Sequence, residues 1–306
     1  MNYPEDIRRA YGGIVDRQTD SVRILAPAKI NLFLKVIERR PDGYHDIFSW
    51  FQAIDLHDEL HVKRTDSPVI ELTTDCPAVP TGPDNLVCKA AKLLQQKYQL
   101  TCGFNVDLKK NIPVGAGLGG GSSDVAAFIK AANLLLDIGL TRQEMEVCGL
   151  EIGSDVPFFF GTGQAEVTGR GEIVKDIILP VGYRILLVTP PFEIRAAEAY
   201  QRLKLDLTEP FKDIKFTCSP KTGELFGVVS SLANDLETAL VEAYPVLREI
   251  KRRLAQTWAR AIRISGSGPT VYALYDKSDP VGEEFVESFV GEGWGCRFAS
   301  PLILPH

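Results

Sequence analysis

The sequence predicts a mixed α and β protein organised as two packed halves. Three observations carry that prediction. Short β-branched and apolar runs alternate along the chain with segments of helical spacing, and a glycine-rich loop joins a strand to a long apolar helix. The 306 residues suffice for about two domains of roughly 150 residues each. With 45% apolar and 24% charged residues the composition is that of a globular protein, which excludes wholesale disorder and fibrous repeats.

The elements follow in order. Residues 1–20 mix Glu5, Asp6, Asp16 and Asp20 with Arg8, Arg9 and Arg17 and contain no apolar stretch, so they are expected to be a tail rather than a secretory or transit segment. Arg23-Ile24-Leu25 opens a strand, and Ala28 to Val36 carries dense apolar and β-branched character until Arg39-Arg40-Pro41-Asp42-Gly43 supplies a turn, which suggests a strand pair or hairpin. Ile54, Leu56, Leu60 and Val62, then Val69, Ile70 and Leu72, suggest further strands. Asp84-Asn85 caps a helix through Ala90, Ala91, Leu93 and Leu94. Phe104, Val106 and Leu108 alternate as a strand, whereas Val125, Phe128, Ile129, Ala132, Leu135 and Leu136 describe a buried helix face. Turns between Gly161 and Gly171 open the second half. It continues with a strand at Ile185–Val188, helices at Ala196–Leu203 and Pro245–Trp258, and a strand pair at Ile262–Ile264 and Val271–Tyr275. A cleft between the halves is the expected ligand site.

Charge and cysteine usage narrow the partners. Thirty-four Lys and Arg against 40 Asp and Glu leave a net charge of −6, so neither nucleic acid nor an anionic membrane is an expected partner. No run approaches the roughly 18 to 20 apolar residues of a membrane span. Six scattered cysteines (76, 88, 102, 148, 218 and 296) without a CxxC pair suggest reduced thiols in a cytoplasmic protein. His57-Asp58-Glu59-Leu60-His61 has the wrong order and the wrong periodicity for a zincin helix, so no metal site is expected. Arg248, Lys251, Arg252 and Arg253, interleaved with Glu249, read as a solvated helix face.

The segment Pro113, Val114, Gly115, Ala116, Gly117, Leu118, Gly119, Gly120, Gly121, Ser122, Ser123 points to a ligand. Glycine costs about 0.5 to 1 kcal/mol relative to alanine, so five together must meet a backbone need. Free amides and the positive end of a helix dipole would cradle a phosphate. A P-loop is excluded because Gly121 stands where its lysine belongs, and the protein-kinase motifs are missing. Gly115-x-Gly117-x-x-Gly120 matches the dinucleotide fingerprint, displaced from its strand by Lys109 to Val114, which leaves a nicotinamide-dependent oxidoreductase or a noncatalytic nucleotide-binding module as alternatives.

Pro113 to Ser123 resembles the phosphate-binding signature of the GHMP kinases, and Ser265-Gly266-Ser267-Gly268-Pro269-Thr270-Val271-Tyr272 resembles their C-terminal glycine motif. Ala26-Pro27-Ala28-Lys29-Ile30-Asn31-Leu32-Phe33-Leu34, Arg40-Pro41-Asp42-Gly43-Tyr44-His45, Gly153-Ser154-Asp155-Val156-Pro157-Phe158 and Asn234-Asp235-Leu236-Glu237 resemble the branch acting on the cytidyl diphosphate derivative of methylerythritol, in the non-mevalonate route to isoprenoids. The resemblance spans about residues 22 to 300. It implies an α+β fold with a ribosomal protein S5 domain 2-like N-terminal domain (21–165) and a ferredoxin-like C-terminal domain (166–306). The implied co-substrate is ATP, with Mg²⁺ carried on it, and the implied reaction is phosphorylation of the small-molecule acceptor's 2-hydroxyl. Another acceptor alcohol is the alternative within the family. Monomer and homodimer both remain open.

The same resemblance implies roles for individual residues. Asp155 would be the base and Lys29 its partner; read alone, Asp155 is equally an N-cap before Pro157 and Lys29 an edge or snorkelling lysine. Tyr44, His45 and Tyr200 would form the cytosine pocket, with Asn31 near the reacting end. Pro113–Ser123 would cradle the phosphates, with Asn85 and Lys110 near the adenine. Arg195-Ala196 replaces the family's usual Ser-Thr, which offers Arg195 to the substrate diphosphate.

Overall fold

The computed structural model describes residues 14–203 and 221–304. Residues 1–13 of the expected tail and Cys218 lie outside them. Residues 14 to 17, placed in the tail by composition, instead form β1 (Ile14–Arg17), antiparallel to β2 (Ser21–Arg39).

A long hairpin organises the first sheet. β2 pairs with β3 (His45–Thr65) along almost its whole length. The two strands expected at 23–25 and 28–36 are one, because a register shift between Pro27 and Ala28 absorbs the proline without ending the pairing. β3 is shared between two neighbours: its C-terminal half pairs with β5 (Gly103–Lys109), its N-terminal half with β6 (Gln164–Gly169). β6 occupies a stretch expected as turns, and with β7 (Ile173–Asp176) it carries the first sheet past residue 165. β4 (Ile70–Thr74) lies parallel to β5 and is joined to it through α1 (Leu86–Lys97).

One face of this sheet is covered by α1 and α2 (Gly120–Leu136), against which α3 (Arg142–Leu150) and a 3-10 turn at Pro157–Phe160 pack. α2 buries its successive residues Val125 to Ile129, which marks a central helix. Phe104 of β5 meets Phe128 of α2 edge to face at 5.1 Å.

The second sheet is antiparallel, in the order β11 (Gly295–Ala299), β8 (Tyr183–Thr189), β10 (Val271–Asp276), β9 (Ala261–Ile264). Its period of two divides the core. Ile185, Leu187, Tyr272 and Leu274 face β2, while Leu186, Val188, Val271, Ala273 and Tyr275 face α6 (Glu237–Ala243), α7 (Pro245–Leu254) and α8 (Glu283–Val290). Because both faces are covered, β8 reads as a continuous apolar run. α4 (Ala196–Gln201) and α5 (Thr222–Ser231) complete the described helices. α7 stops at Leu254 rather than Trp258; the Thr257 hydroxyl donates to the Leu254 carbonyl at 2.6 Å, closing the helix.

The two sheets are tied through β2. Ala28, Ile30 and Leu32 share a core with Tyr183 and Tyr272, and the Tyr272 hydroxyl lies 3.0 and 2.9 Å from the Asn31 and Leu32 carbonyls. Leu302 and Leu304 return to the first core. The strand carrying Lys29 and Asn31 is thereby fixed from both sides.

Candidate active site

The glycine loop owes its shape to alternation. Ala116 and Leu118 are buried in the core between the sheets, while Gly115, Gly117 and Gly119 hold left-handed φ of 61°, 74° and 72°. At Gly117 the requirement is also one of space, since a Cβ would stand 2.2 Å from the Ser265 carbonyl oxygen. The Ser265 hydroxyl donates to the Gly117 carbonyl at 2.9 Å, and the Thr270 amide donates to the Ala116 carbonyl at 3.3 Å. The two glycine motifs are therefore one double turn, with the Asn234 amide donating to the Ile264 and Gly266 carbonyls at 2.9 and 2.7 Å.

The loop delivers its backbone to the start of α2. Gly119 caps the helix with no side-chain acceptor, so the first-turn amides are left to an outside anion. Ser123, on that turn, is buried, and its Oγ has no hydrogen-bond partner among the described residues.

Lys29 lies directly against the loop. Its amide donates to the Leu118 carbonyl at 2.9 Å, and a Cβ on Gly119 would stand 3.0 Å from its side chain. The ammonium sits 3.2 Å from the Asp155 carboxylate, donates to Asn31 Oδ1 at 2.7 Å and lies 4.2 Å from the Phe51 ring centroid. It is buried, and the backbone edge beside it is covered by the glycine loop rather than by solvent, so it is not an exposed edge or snorkelling lysine. Asp155 caps nothing: the residue preceding the 3-10 turn is Val156, which has no side-chain cap. The Asp155 side chain keeps 33% of its surface exposed, toward a cavity of about 960 Å³.

That cavity brings together Lys29, Asn31, Asp155, Tyr44, His45, Tyr200, Gly117 and Gly119. His45 and Tyr200 stack at 5.1 Å between centroids. Burial and the nearby Arg39 charge hold the His45 imidazole below its ordinary range. Burial, then the Asp155 charge, push the Tyr200 phenol up. Tyr44 is exposed, and the guanidinium of Arg170 lies 4.9 Å from its ring centroid.

Two residues expected near the nucleotide have side chains already engaged. Asn85 accepts from the Val87 amide at 2.8 Å and donates to the Pro80 carbonyl at 2.7 Å, capping α1. Lys110 Nζ is buried between Asp58 and Asp124, 2.8 Å from the latter, and would stand 3.4 Å from a Cβ on Gly120. Burial works to lower the Lys110 pKa, but the two carboxylates outweigh it and the net direction is up. Burial is also the main cause raising the Asp124 pKa; Lys110 opposes it and Asp58 adds to it.

Arg195 does not line the cavity. It begins α4, and only its neighbours Ala196 and Ala197 reach the wall. Among the described residues, the cations that do line it besides Lys29 are Arg39 and Arg170. Sequence reasoning missed both, together with Asp58 and Asp124. Among the described residues no group of three or more His, Cys, Asp or Glu stands close enough to hold a metal ion, and no helix is long and apolar enough to cross a membrane.

A double glycine turn at a helix start, facing a lysine and carboxylate across a cleft between two sheets, defines a small-molecule kinase of the GHMP type. The GHMP kinases N terminal domain matches residues 85–163 and the GHMP kinases C terminal domain residues 222–289. A 4-diphosphocytidyl-2-C-methyl-D-erythritol kinase from Thermodesulfovibrio yellowstonii is 42% identical over 91% of this chain and 97% of its own, and one from Pelobacter propionicus is 37% identical over 92% and 99%. A crystal structure of 4-(cytidine 5'-diphospho)-2C-methyl-D-erythritol kinase superposes with TM-score 0.70 at 28% identity, covering 93% of this chain and all of the other. Homoserine kinase from Cytophaga hutchinsonii, at 17% identity and TM-score 0.72, shares the fold. The chain belongs to the GHMP kinases, in the family whose members carry the name 4-diphosphocytidyl-2-C-methyl-D-erythritol kinase.

Proposed function

We propose that the protein transfers the γ-phosphoryl group of ATP to the 2-hydroxyl of 4-diphosphocytidyl-2-C-methyl-D-erythritol. The observation that carries this reading is the Lys29–Asp155 pair at 3.2 Å, set between the amide-lined glycine turn and a cavity walled by Tyr44, His45 and Tyr200. Phosphoryl transfer asks mainly for positioning, charge neutralisation and a proton acceptor. In this reading Asp155 takes the hydroxyl proton as the oxygen attacks the γ-phosphorus. Lys29, 3.2 Å from the carboxylate, orients it and stabilises the charge building on the attacking and transferring oxygens. Asn31 orients the ammonium: its Oδ1 accepts from Lys29, and its Nδ2 donates to the Ser49 hydroxyl at 3.1 Å, which fixes the amide.

On the nucleotide side, Pro113–Ser123 cradles the phosphates through its backbone, and Asn85 and Lys110 hold the walls beside it, one by capping α1 and the other beneath Gly120. The unpartnered Ser123 hydroxyl fits a metal–phosphate group at the start of α2. Mg²⁺ brought in on ATP would neutralise the phosphate charge there. On the acceptor side, Tyr44, His45 and Tyr200 receive the cytosine.

Coupled ADP release tests the reading. ADP should form only when ATP and the cytidyl diphosphate acceptor are both present. Turnover on mevalonate or homoserine with none on this acceptor would replace the acceptor assignment, and NADH binding without ATP binding would revive the oxidoreductase.

A further inference from the structure

The turn between β6 and β7 is built around one side chain. Gly169 and Gly171, with φ of 67° and 111°, flank Arg170, and the Arg170 amide donates to the Glu172 carboxylate, which closes the turn. Pairing of β6 with β3 ends at Ile47 opposite Gly169, so the next residue of the turn is carried toward Tyr44 and His45. A Cβ on Gly171 would stand 3.4 Å from Asp155 Oδ1, which sets the same turn beside the proposed base. The Arg170 guanidinium lies 4.9 Å from the Tyr44 ring centroid and lines the cavity. Its nearest carboxylate is Glu172, 3.8 Å from Nε, too far for a hydrogen bond, and among the described residues its N–H groups have no hydrogen-bond partner.

An arginine presents five donors in a planar fork suited to phosphate oxygens, and desolvation against an aromatic ring is tolerated better by its guanidinium than by an ammonium. Here that fork is held against the ring of Tyr44, proposed to take the base, on a turn whose next residue stands beside the carboxylate proposed to take the hydroxyl proton. A molecule spanning those two points has its diphosphate in the middle. We propose that Arg170 is a positioning residue that receives the diphosphate of the acceptor and so sets the distance between the cytosine pocket and Asp155. The inference rests on the proposed function above. It gives Arg170 the part that the sequence offered to Arg195.

Direct titration with CDP and with cytidine separates the diphosphate from the base. The intact protein should bind CDP at least about tenfold more tightly than cytidine. Arg170→Gln should weaken CDP about tenfold and leave cytidine within about twofold, and Arg170→Lys should fall between. In turnover, Arg170→Gln should raise the KM for the acceptor about tenfold, with kcat within about threefold and the KM for ATP unchanged. Equal losses of CDP and cytidine would overturn the proposal and leave Arg170 a prop for Tyr44; unchanged CDP affinity would overturn it as well. Failure of the unsubstituted protein to bind either probe would sink the acceptor reading itself, an outcome visible before any variant is made.

Discussion

Two lysine–carboxylate clusters flank the same glycine turn, and they are built for opposite ends. Lys110, beneath Gly120, is enclosed with Asp58 and Asp124, and Asp58 accepts in addition the Asn111 and Ile112 amides at 2.6 and 2.8 Å. Lys29, against Gly119, faces one carboxylate that remains one-third exposed and accepts no other hydrogen bond among the described residues. In the closed cluster both Asp58 oxygens are spent, on Lys110 and on the strand-to-loop connection at Asn111–Ile112, and the unpartnered Asp124 Oδ1 is buried. The open one keeps lone pairs free at a cavity. Pairing a lysine with an aspartate thus says nothing about catalysis; what distinguishes the two sites is whether the carboxylate has capacity left for a proton from outside.

The sharpest way to break this comparison is to neutralise each carboxylate in turn. Asp155→Asn keeps the shape and a dipole toward Lys29 but removes the base. It should lower kcat by about a hundredfold to ten-thousandfold, with ATP affinity nearly intact and the fold retained. Steady-state rates together with denaturant melts decide it; near-normal kcat would return Asp155 to the class of structural residues.

Asp58→Asn should invert that pattern. Replacing a fully buried carboxylate that accepts from an ammonium and two amides leaves Lys110 with Asp124 as its counter-charge and turns an amide group toward the Asn111 and Ile112 donors. Leaving buried donors without their carboxylate costs about 1 to 3 kcal/mol, read as a lowered denaturant midpoint. A stability loss under about 1 kcal/mol would erase the contrast between the clusters.

The open site was largely legible in the sequence, because the motif residues Lys29, Asn31, Tyr44, His45, Asp155 and Tyr200 all line one cavity. The closed cluster was not. Asp58 lies 52 residues from Lys110 in a strand pattern that shows only an odd acidic residue among apolar ones, and Asp124 sits in a helix whose buried face reads as apolar. Arg170 was hidden for a related reason: its neighbour Tyr44 is chosen by the β3–β6 register, which no local pattern encodes. The same dependence concealed β1, β6 and β7, short strands defined by partners rather than by their own periodicity. The Pro27 strand misled in the opposite direction, since a bulge let one element look like two. What the sequence displays is local chemistry, and what it conceals is the choice of distant partners.

The smallest expected effect tests whether the open site is as dry at its acceptor end as its stacked rings suggest. His45 has its pKa held below 6.5, first by burial and then by the Arg39 charge. A depressed pKa means that the folded arrangement favours the neutral imidazole. Its contribution is complete above about pH 6.5 and is lost as pH falls through the depressed value. The KM for the acceptor should therefore stay flat from pH 8 to about 6.5 and rise, by less than about tenfold, only at lower pH. Arg39→Gln removes the repelling charge and should bring the start of that rise to higher pH, while His45→Gln should flatten it. A rise already under way above pH 6.5 in the parent, or one that persists in His45→Gln, would show that the imidazole stays wet and plays no part in reading the base. The open cluster would then be confined to the Lys29–Asp155 end of the cavity.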